Sequence, residues 1–424
     1  MKRKLLSFVL MMMSLAVSAT MGAPIEEVIG GIRYGLYPDS KTAIVDYLGY
    51  EKNGYLGDIV IPSTVTYENV DYTVTDIGWR AFANSNVTSV TIPNSVVSIR
   101  ESAFNGCSSL SSVTIPISVV SIGKSAFNGC SSLSSVTIPI SVVSIGESAF
   151  NGCSSLCSVT IPNGVTSIEK QTFYCCSNLS SVTIPNGVTS IGESAFWGCS
   201  NLSSVTIPNS VVEIKNTAFC KCSSLTSVTI PNSVKEIQSG VFSQCSGLIS
   251  VDVPNSVTTI EGYTFFRCSN LISIIMPNSI ESITEYQFAE CHSLTSITIG
   301  NNVKSVHKYA FADCRNFVNL YCYTEQVPQI NDNAFNYSNI ANATLHVPAV
   351  AIDAYKTANI WRNFKNIVAL TDDDPKPTGI TSINNDLVKG ERYYSLDGKR
   401  MVQPQRGLNI IRMGDGTTKK VVVK

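Results

Sequence analysis

The sequence predicts a mainly β solenoid. It is a stack of 23-residue coils between a β cap at the N-terminal end and a short helical cap at the C-terminal end, with a small β unit behind. Three observations predict it. Ten cysteines from Cys107 to Cys314, and ten phenylalanines from Phe104 to Phe311, each recur at an unbroken interval of 23. Residues 112–134, "SVTIPISVVSIGKSAFNGCSSLS", are followed by a copy, 135–157, that differs only at Lys124/Glu147 and Ser134/Cys157. Within each copy, apolar residues alternate with Ser and Thr at strand spacing.

Composition narrows the class. The chain has 424 residues, a net charge of −1 and 14% charged residues, so nothing electrostatic favours nucleic acid or an anionic membrane. Length alone would suggest about two or three domains, but a periodic chain voids that arithmetic.

Residues 1–19 are read as a secretory signal peptide: Lys2, Arg3 and Lys4 precede an apolar run, and Val17, Ser18 and Ala19 supply small residues for cleavage. The run is short of the ~20 apolar residues a bilayer span needs. No later segment is apolar for that length, so the mature chain is expected to have no membrane span. No cysteine precedes Cys107, which excludes a lipid-modified N-terminal cysteine. Residues 24–75 alternate like strands, with a turn at Asn53 and Gly54, and are expected to form a β cap over the first open sheet edge.

Residues 76–318 are the coils. In the copy at 112–134 the inward set is Val113, Ile115, Val119, Ile122, Ala126, Phe127, Cys130 and Leu133. Pro116 ends the first strand because it cannot donate to a ladder. Val119 and Ile122 lie on a second, shorter extended piece, and "GKSAF" makes a tight turn or a single helical turn. One coil cannot bury this set alone. Its neighbours must cover it, which is why the segment is written many times. The first unit departs from the pattern, with Phe82 only 22 residues before Phe104 and Ser85 where a cysteine is expected. Terminal repeats are usually atypical in this way.

The segment "LSSVTIPISVVSIGKSAFNGC" resembles the BspA-like leucine-rich repeat, and the resemblance runs over about residues 76–314. It implies a right-handed leucine-rich-repeat solenoid with a parallel sheet along one face. It also implies bacterial surface proteins, several of which are adhesins for host matrix proteins or other cells.

The cysteine column is expected to hold buried thiols packed as small hydrophobes. Equivalent Cβ vectors in coils ~4.8 Å apart run parallel, whereas a disulfide needs them to converge. The off-register Cys157, Cys175, Cys220 and Cys322 leave a bridge open. Unpaired exported thiols suit an anaerobic habitat. Cys291, His292 and His307 do not converge as a zinc set should, and no cofactor or metal is expected.

Outward strand positions form a serine column, from Ser89 to Ser296, and a threonine column of Thr114, Thr137, Thr160, Thr183, Thr206 and Thr229. This face is either a broad, weak contact surface for protein or glycan, or simply what strand propensity and solubility select. Variation between copies concentrates at the turns, where Tyr174, Trp197, Phe266, Arg267 and Tyr286 stand. Aromatic residues and Arg anchor interfaces; drift at exposed turns is the other reading.

Residues 319–370 are expected to be the C-terminal cap, with a helix over 349–358 and a turn that buries Trp361 and Phe364. Its "LHVPAVAIDAYK" and "WRNF" resemble the closing segment of BspA-like domains. Residues 371–379 are an acidic, Pro-containing linker. In 380–424 two hairpins are expected, at Asp397-Gly398 and at residues 414–416. "YYSLDGKRM", "GLNIIRM" and "KKVVVK" resemble the sorting domain of type IX secretion; a β appendage without an address function is the alternative.

The chain holds three histidines, none beside a nucleophile motif, and no phosphate loop or dinucleotide fingerprint. The repeated Glu101, Glu147 and Glu193 line up on one face instead of converging across a cleft. An enzyme is therefore not expected. The expected function is an exported cell-surface or secreted module, adhesin-like and outer membrane associated. It would bind protein or glycan, host extracellular matrix among the candidates, through the repeat surface. The alternative is a stalk of the cell envelope without a specific ligand.

Overall fold

The computed structural model describes residues 23–48 and 54–377, and in the tail the backbone of four strands, Arg392–Tyr394, Arg400–Met401, Gly407–Arg412 and Thr418–Val423. The expected signal peptide, Asn53 of the cap turn and the two hairpin tips of the tail lie outside the described residues. The tail strands pair antiparallel, Arg392–Tyr394 with both Arg400–Met401 and Gly407–Arg412, and the last two with each other.

Each coil contributes to two parallel ladders. The first uses strands such as Ser112–Thr114, with Ser89 opposite Ser112 and Thr91 opposite Thr114. The second uses two-residue strands such as Ser121–Ile122, flanked by Ser98 and Ser144. The constant interval makes like residues neighbours, so one rung specifies the register of the next. The first ladder thins to single bridges at Thr114–Thr137 and Thr183–Thr206. The third side of the coil is a stacked turn, and its amides donate forward into the next coil: Ser125 to Glu147 O at 2.8 Å, Phe127 to Ala149 O at 2.8 Å, Gly129 to Asn151 O at 2.7 Å. Two positions of this turn, Ser125 and Gly129, take positive φ of 52° and 73°. Glycine suits the second at little cost.

The ends extend these ladders. Leu56–Val60 already pairs in parallel with Asn86–Thr91, and Val70–Ile77 with Ser98–Ile99. In front of them stands a hairpin of Ile25–Ile29 and Ile32–Tyr37, followed by Thr42–Val45. Gly54, at φ 55°, packs on Ser85, where an added Cβ would come within 2.6 Å of its hydroxyl. Ser85 stands at the cysteine position because its hydroxyl accepts the Tyr55 amide of the cap. At the other end Asn319–Cys322, Thr344–Val347 and Asn366–Ala369 add three more parallel rungs. The helix is shorter than expected: a 3-10 turn over Ala349–Ala351 leads into Ile352–Thr357. Trp361 and Phe364 are buried.

The core is a ladder of phenylalanines. From Phe82 to Phe335, adjacent rings lie 5.0–6.0 Å apart with planes within 3–11° of parallel. Burial of each ring contributes about 1.5–3 kcal/mol, and each offset stack a further ~0.5–1.5 kcal/mol. The in-register cysteines are buried beside it. Each thiol also donates to the phenylalanine carbonyl of the preceding coil, as Cys130 Sγ does to Phe104 O at 3.2 Å, a bond repeated up to Cys314 and Phe288. That carbonyl already accepts the Cys107 amide at 3.1 Å. Cysteine is small enough for the space and still offers a proton to the second lone pair, which alanine or valine cannot do.

All fourteen cysteines are free thiols, so the bridge left open by sequence does not form. Cys322 occupies an inward strand position and Cys220 is buried at a turn; only Cys157 is exposed, with Cys175 half-buried. Desolvation pushes the Cys153 thiol up to about 12. In a maleimide assay at pH 8, native protein is therefore expected to label rapidly at Cys157 and slowly at Cys175 alone. Denatured, unreduced protein should label at all fourteen; near-zero labelling there would mean that the thiols are bridged.

Candidate interaction surface

The first ladder presents the hydroxyl face. Thr114, Thr137, Thr160, Thr183, Thr206 and Thr229 are all exposed, as are Ser112 to Ser204 in their column. Toward the C-terminal end the face changes. Ser227 and its successors are half-buried, and Thr298 is buried, because the outward column continues as Tyr321 and His346. These two rings pack at 4.5 Å. Asp374, from the start of the expected linker, approaches His346 Nδ1 at 3.8 Å. At the opposite end Asp58 accepts Ser89 Oγ and Thr88 Oγ1 at 2.6 and 2.7 Å, which hold its carboxyl below the usual range.

The turn side carries the other residues singled out by sequence, in two groups. Tyr174 and Trp197 stack at 4.6 Å with planes 5° apart, and Lys221 Nζ lies 4.2 Å from the Trp197 ring centre. Phe266 meets Tyr286 edge-on at 6.3 Å, and Arg267 lies 4.9 Å from the Phe266 ring. The two groups do not meet; the coils of Phe219 and Phe242 separate them, with Cys220 and Ser243 at the turn position.

Sequence reading missed Tyr263 and Tyr309, which sandwich Tyr286 at 4.8 and 4.9 Å. It also missed Lys221. The signal was available: Tyr263, Tyr286 and Tyr309 are spaced by the same 23 residues that stack the phenylalanines.

Charges are paired between coils. Lys124 lies 3.2 Å from Glu147, so one of the two differences between the duplicated copies is an ion pair across them. Lys170–Glu193, Arg267–Glu290, Lys304–Glu281 and Lys308–Glu285 repeat the arrangement. Such exposed pairs contribute little to stability, and they engage Glu147 and Glu193 of the glutamates that line one face. The histidines have local partners: His292 Nδ1 lies 3.1 Å from Asp313 O, His307 Nε2 3.3 Å from Ser305 Oγ, and His346 Nε2 3.2 Å from Asn319 Oδ1. Among the described residues no cluster of His, Cys, Asp and Glu could hold a metal ion. No helix there is long and apolar enough to cross a membrane.

A family described as the BspA type leucine rich repeat region matches residues 75–203, 189–318 and 238–360. Among solved structures, the chain is similar to a leucine rich cell surface protein of Faecalibacterium prausnitzii. The two are 30% identical, over 83% of this chain and 96% of that one, with a TM-score of 0.53. A leucine-rich repeat protein of Bacteroides ovatus is 26% identical over 81% of this chain and all of that one, with a TM-score of 0.56. The pneumococcal vaccine antigen PcpA, at 19% identity and a TM-score of 0.55, shares the fold. No curated protein matches the chain.

Proposed function

We propose that this chain, which belongs to the BspA-type leucine-rich repeat family, is an exported, surface-displayed module that binds protein or glycan through its outer surface. The family's repeat is an interaction scaffold and the chain is not an enzyme. The observation that carries the binding reading is the turn side of the middle and C-terminal coils. There Trp197 with Lys221, and Phe266 with Arg267, set aromatic rings and cations on a rigid stack. Preformed aromatic and Arg groups are what interface hot spots are made of, and repetition along a rod adds avidity.

The stalk reading has its own observation. In the coils of Phe104, Phe127 and Phe150 the same turn positions hold only Asn and Gly. We assign length to those coils and contact to the later ones. Removing residues 112–157, two whole coils, should leave affinity for immobilised matrix protein or glycan unchanged. Trp197→Ala combined with Arg267→Ala should weaken capture by about 2 kcal/mol or more. Equal capture by all three proteins would leave only the stalk.

Export is part of the same proposal. Residues 1–19 act as the signal peptide and 380–424 as a type IX sorting unit that places the protein at the outer membrane. Intact-mass analysis of surface-released protein should show both segments removed.

A further inference from the structure

We propose that the groove beside Ala289 and Ala312 is a binding site for an uncharged glycan. This deepens the binding reading above and rests on it. The turn position after the core phenylalanine is Asn in the coils of Phe104, Phe127 and Phe150, then aromatic at Tyr174, Trp197 and Phe266. At Ala289 and Ala312 it is alanine twice in succession, and both are nearly flush with the core, 2% and 9% exposed. Two small residues in adjacent coils leave a gap ~10 Å long, two strand spacings. The resulting groove measures about 550 Å³.

Its walls have the chemistry of sugar recognition. Tyr286 lines one side, braced by Tyr263 and Tyr309. Tyr337 stands at the end, 86% exposed, at the same left-handed turn position that Glu290 and Asp313 hold in the two coils before it.

The polar rim is Glu290, Asp313 and Arg315. Arg267 grips Glu290 with two bonds, 2.7 and 3.1 Å, and Arg315 grips Asp313 with two, 2.6 and 3.0 Å. Each carboxylate has about four lone-pair sites and its guanidinium takes two. The remainder are fixed acceptors for hydroxyl donors. Two carboxylates against two guanidiniums leave the rim without net charge, so a polyanion or polycation gains no Coulomb energy there. A ring with apolar faces and hydroxyl edges fits between a tyrosine and pinned acceptors.

The test is biolayer interferometry of the full chain on immobilised manno-, gluco- and galacto-hexaose, with hyaluronan as the charged control. At least one neutral hexaose should be retained, and about 0.5 M salt should not release it, since screening acts on exposed charges. Ala312→Asn restores the residue that earlier coils use and fills the groove; Tyr337→Ala removes a side chain the fold does not bury. Both should keep the wild-type melting temperature and lower affinity by about tenfold. If no neutral hexaose binds, if only hyaluronan does, or if both variants bind as wild type, the proposal is wrong. Capture of matrix proteins in the face of those results would overturn this site alone. Absence of all capture would overturn the binding reading as well.

Discussion

Replacing Phe196 with alanine is expected to lower stability by about 3–5 kcal/mol, the range for deleting a buried aromatic side chain. Phe196 is fully buried and stacked on both sides, 5.4 Å from Phe173 and 5.3 Å from Phe219. The cavity cannot collapse easily, because inter-coil hydrogen bonds from Phe196 N to Ala218 O and from Phe173 N to Ala195 O hold the coils at their spacing. Stability in a stack is a sum of coil terms and nearest-neighbour interfaces. Losing two interfaces at one ring should therefore split the rod into blocks that melt separately. Urea titration followed by hydrogen exchange reads this directly: one cooperative transition becomes two. A midpoint shift worth less than about 1 kcal/mol would show that the ladder is not the main source of cohesion. Trp197→Ala, one residue away at a half-buried turn position, is the control and should change stability far less.

Trp361→Ala should cost a similar amount, about 3–5 kcal/mol, but the damage should stay at one end. The indole is fully buried, donates to Pro328 O at 3.0 Å, and meets Phe335, Tyr355 and Phe364 at 5.5–6.4 Å. It closes the last rung of the phenylalanine ladder, which otherwise ends at an open face. Alanine leaves the Pro328 carbonyl without its partner as well as a cavity, and a buried unpaired acceptor costs ~1–3 kcal/mol. Hydrogen exchange should show protection lost first over residues 315–370 and retained around Phe104 and Phe127. Uniform loss along the whole chain would mean that the coils unfold as one unit, contrary to the nearest-neighbour picture.

Much of the fold was legible without coordinates. Val113, Ile115, Val119, Ile122, Ala126, Phe127, Cys130 and Leu133 were assigned inward from one copy, and all are buried. Burial of the cysteine column followed from its place in the inward apolar set, and its lack of disulfides from parallel Cβ vectors. Its hydrogen bond to the phenylalanine carbonyl did not, because the direction of a carbonyl depends on the turn's backbone angles. The exposure of Thr114 to Thr229 followed from alternation, whereas the burial of Thr298 depends on Tyr321 in the next rung. The aromatic turn residues were found one by one; their stacking appears only when each is compared with the residue one period away.

By itself, the order of residues determined the interval, the inside of each coil, the stacking of like on like and the need for caps. The reason is geometric: a constant period brings each side chain beside its own equivalent, so a single copy describes the contacts of all. The tertiary structure alone decided where that regularity is used or broken. It closed a two-alanine gap into a groove with Tyr337 at its end. It also paired two of the repeated glutamates, Glu147 and Glu193, with lysines of neighbouring coils. Those outcomes depend on side chains from different coils meeting in space, and no single period contains them.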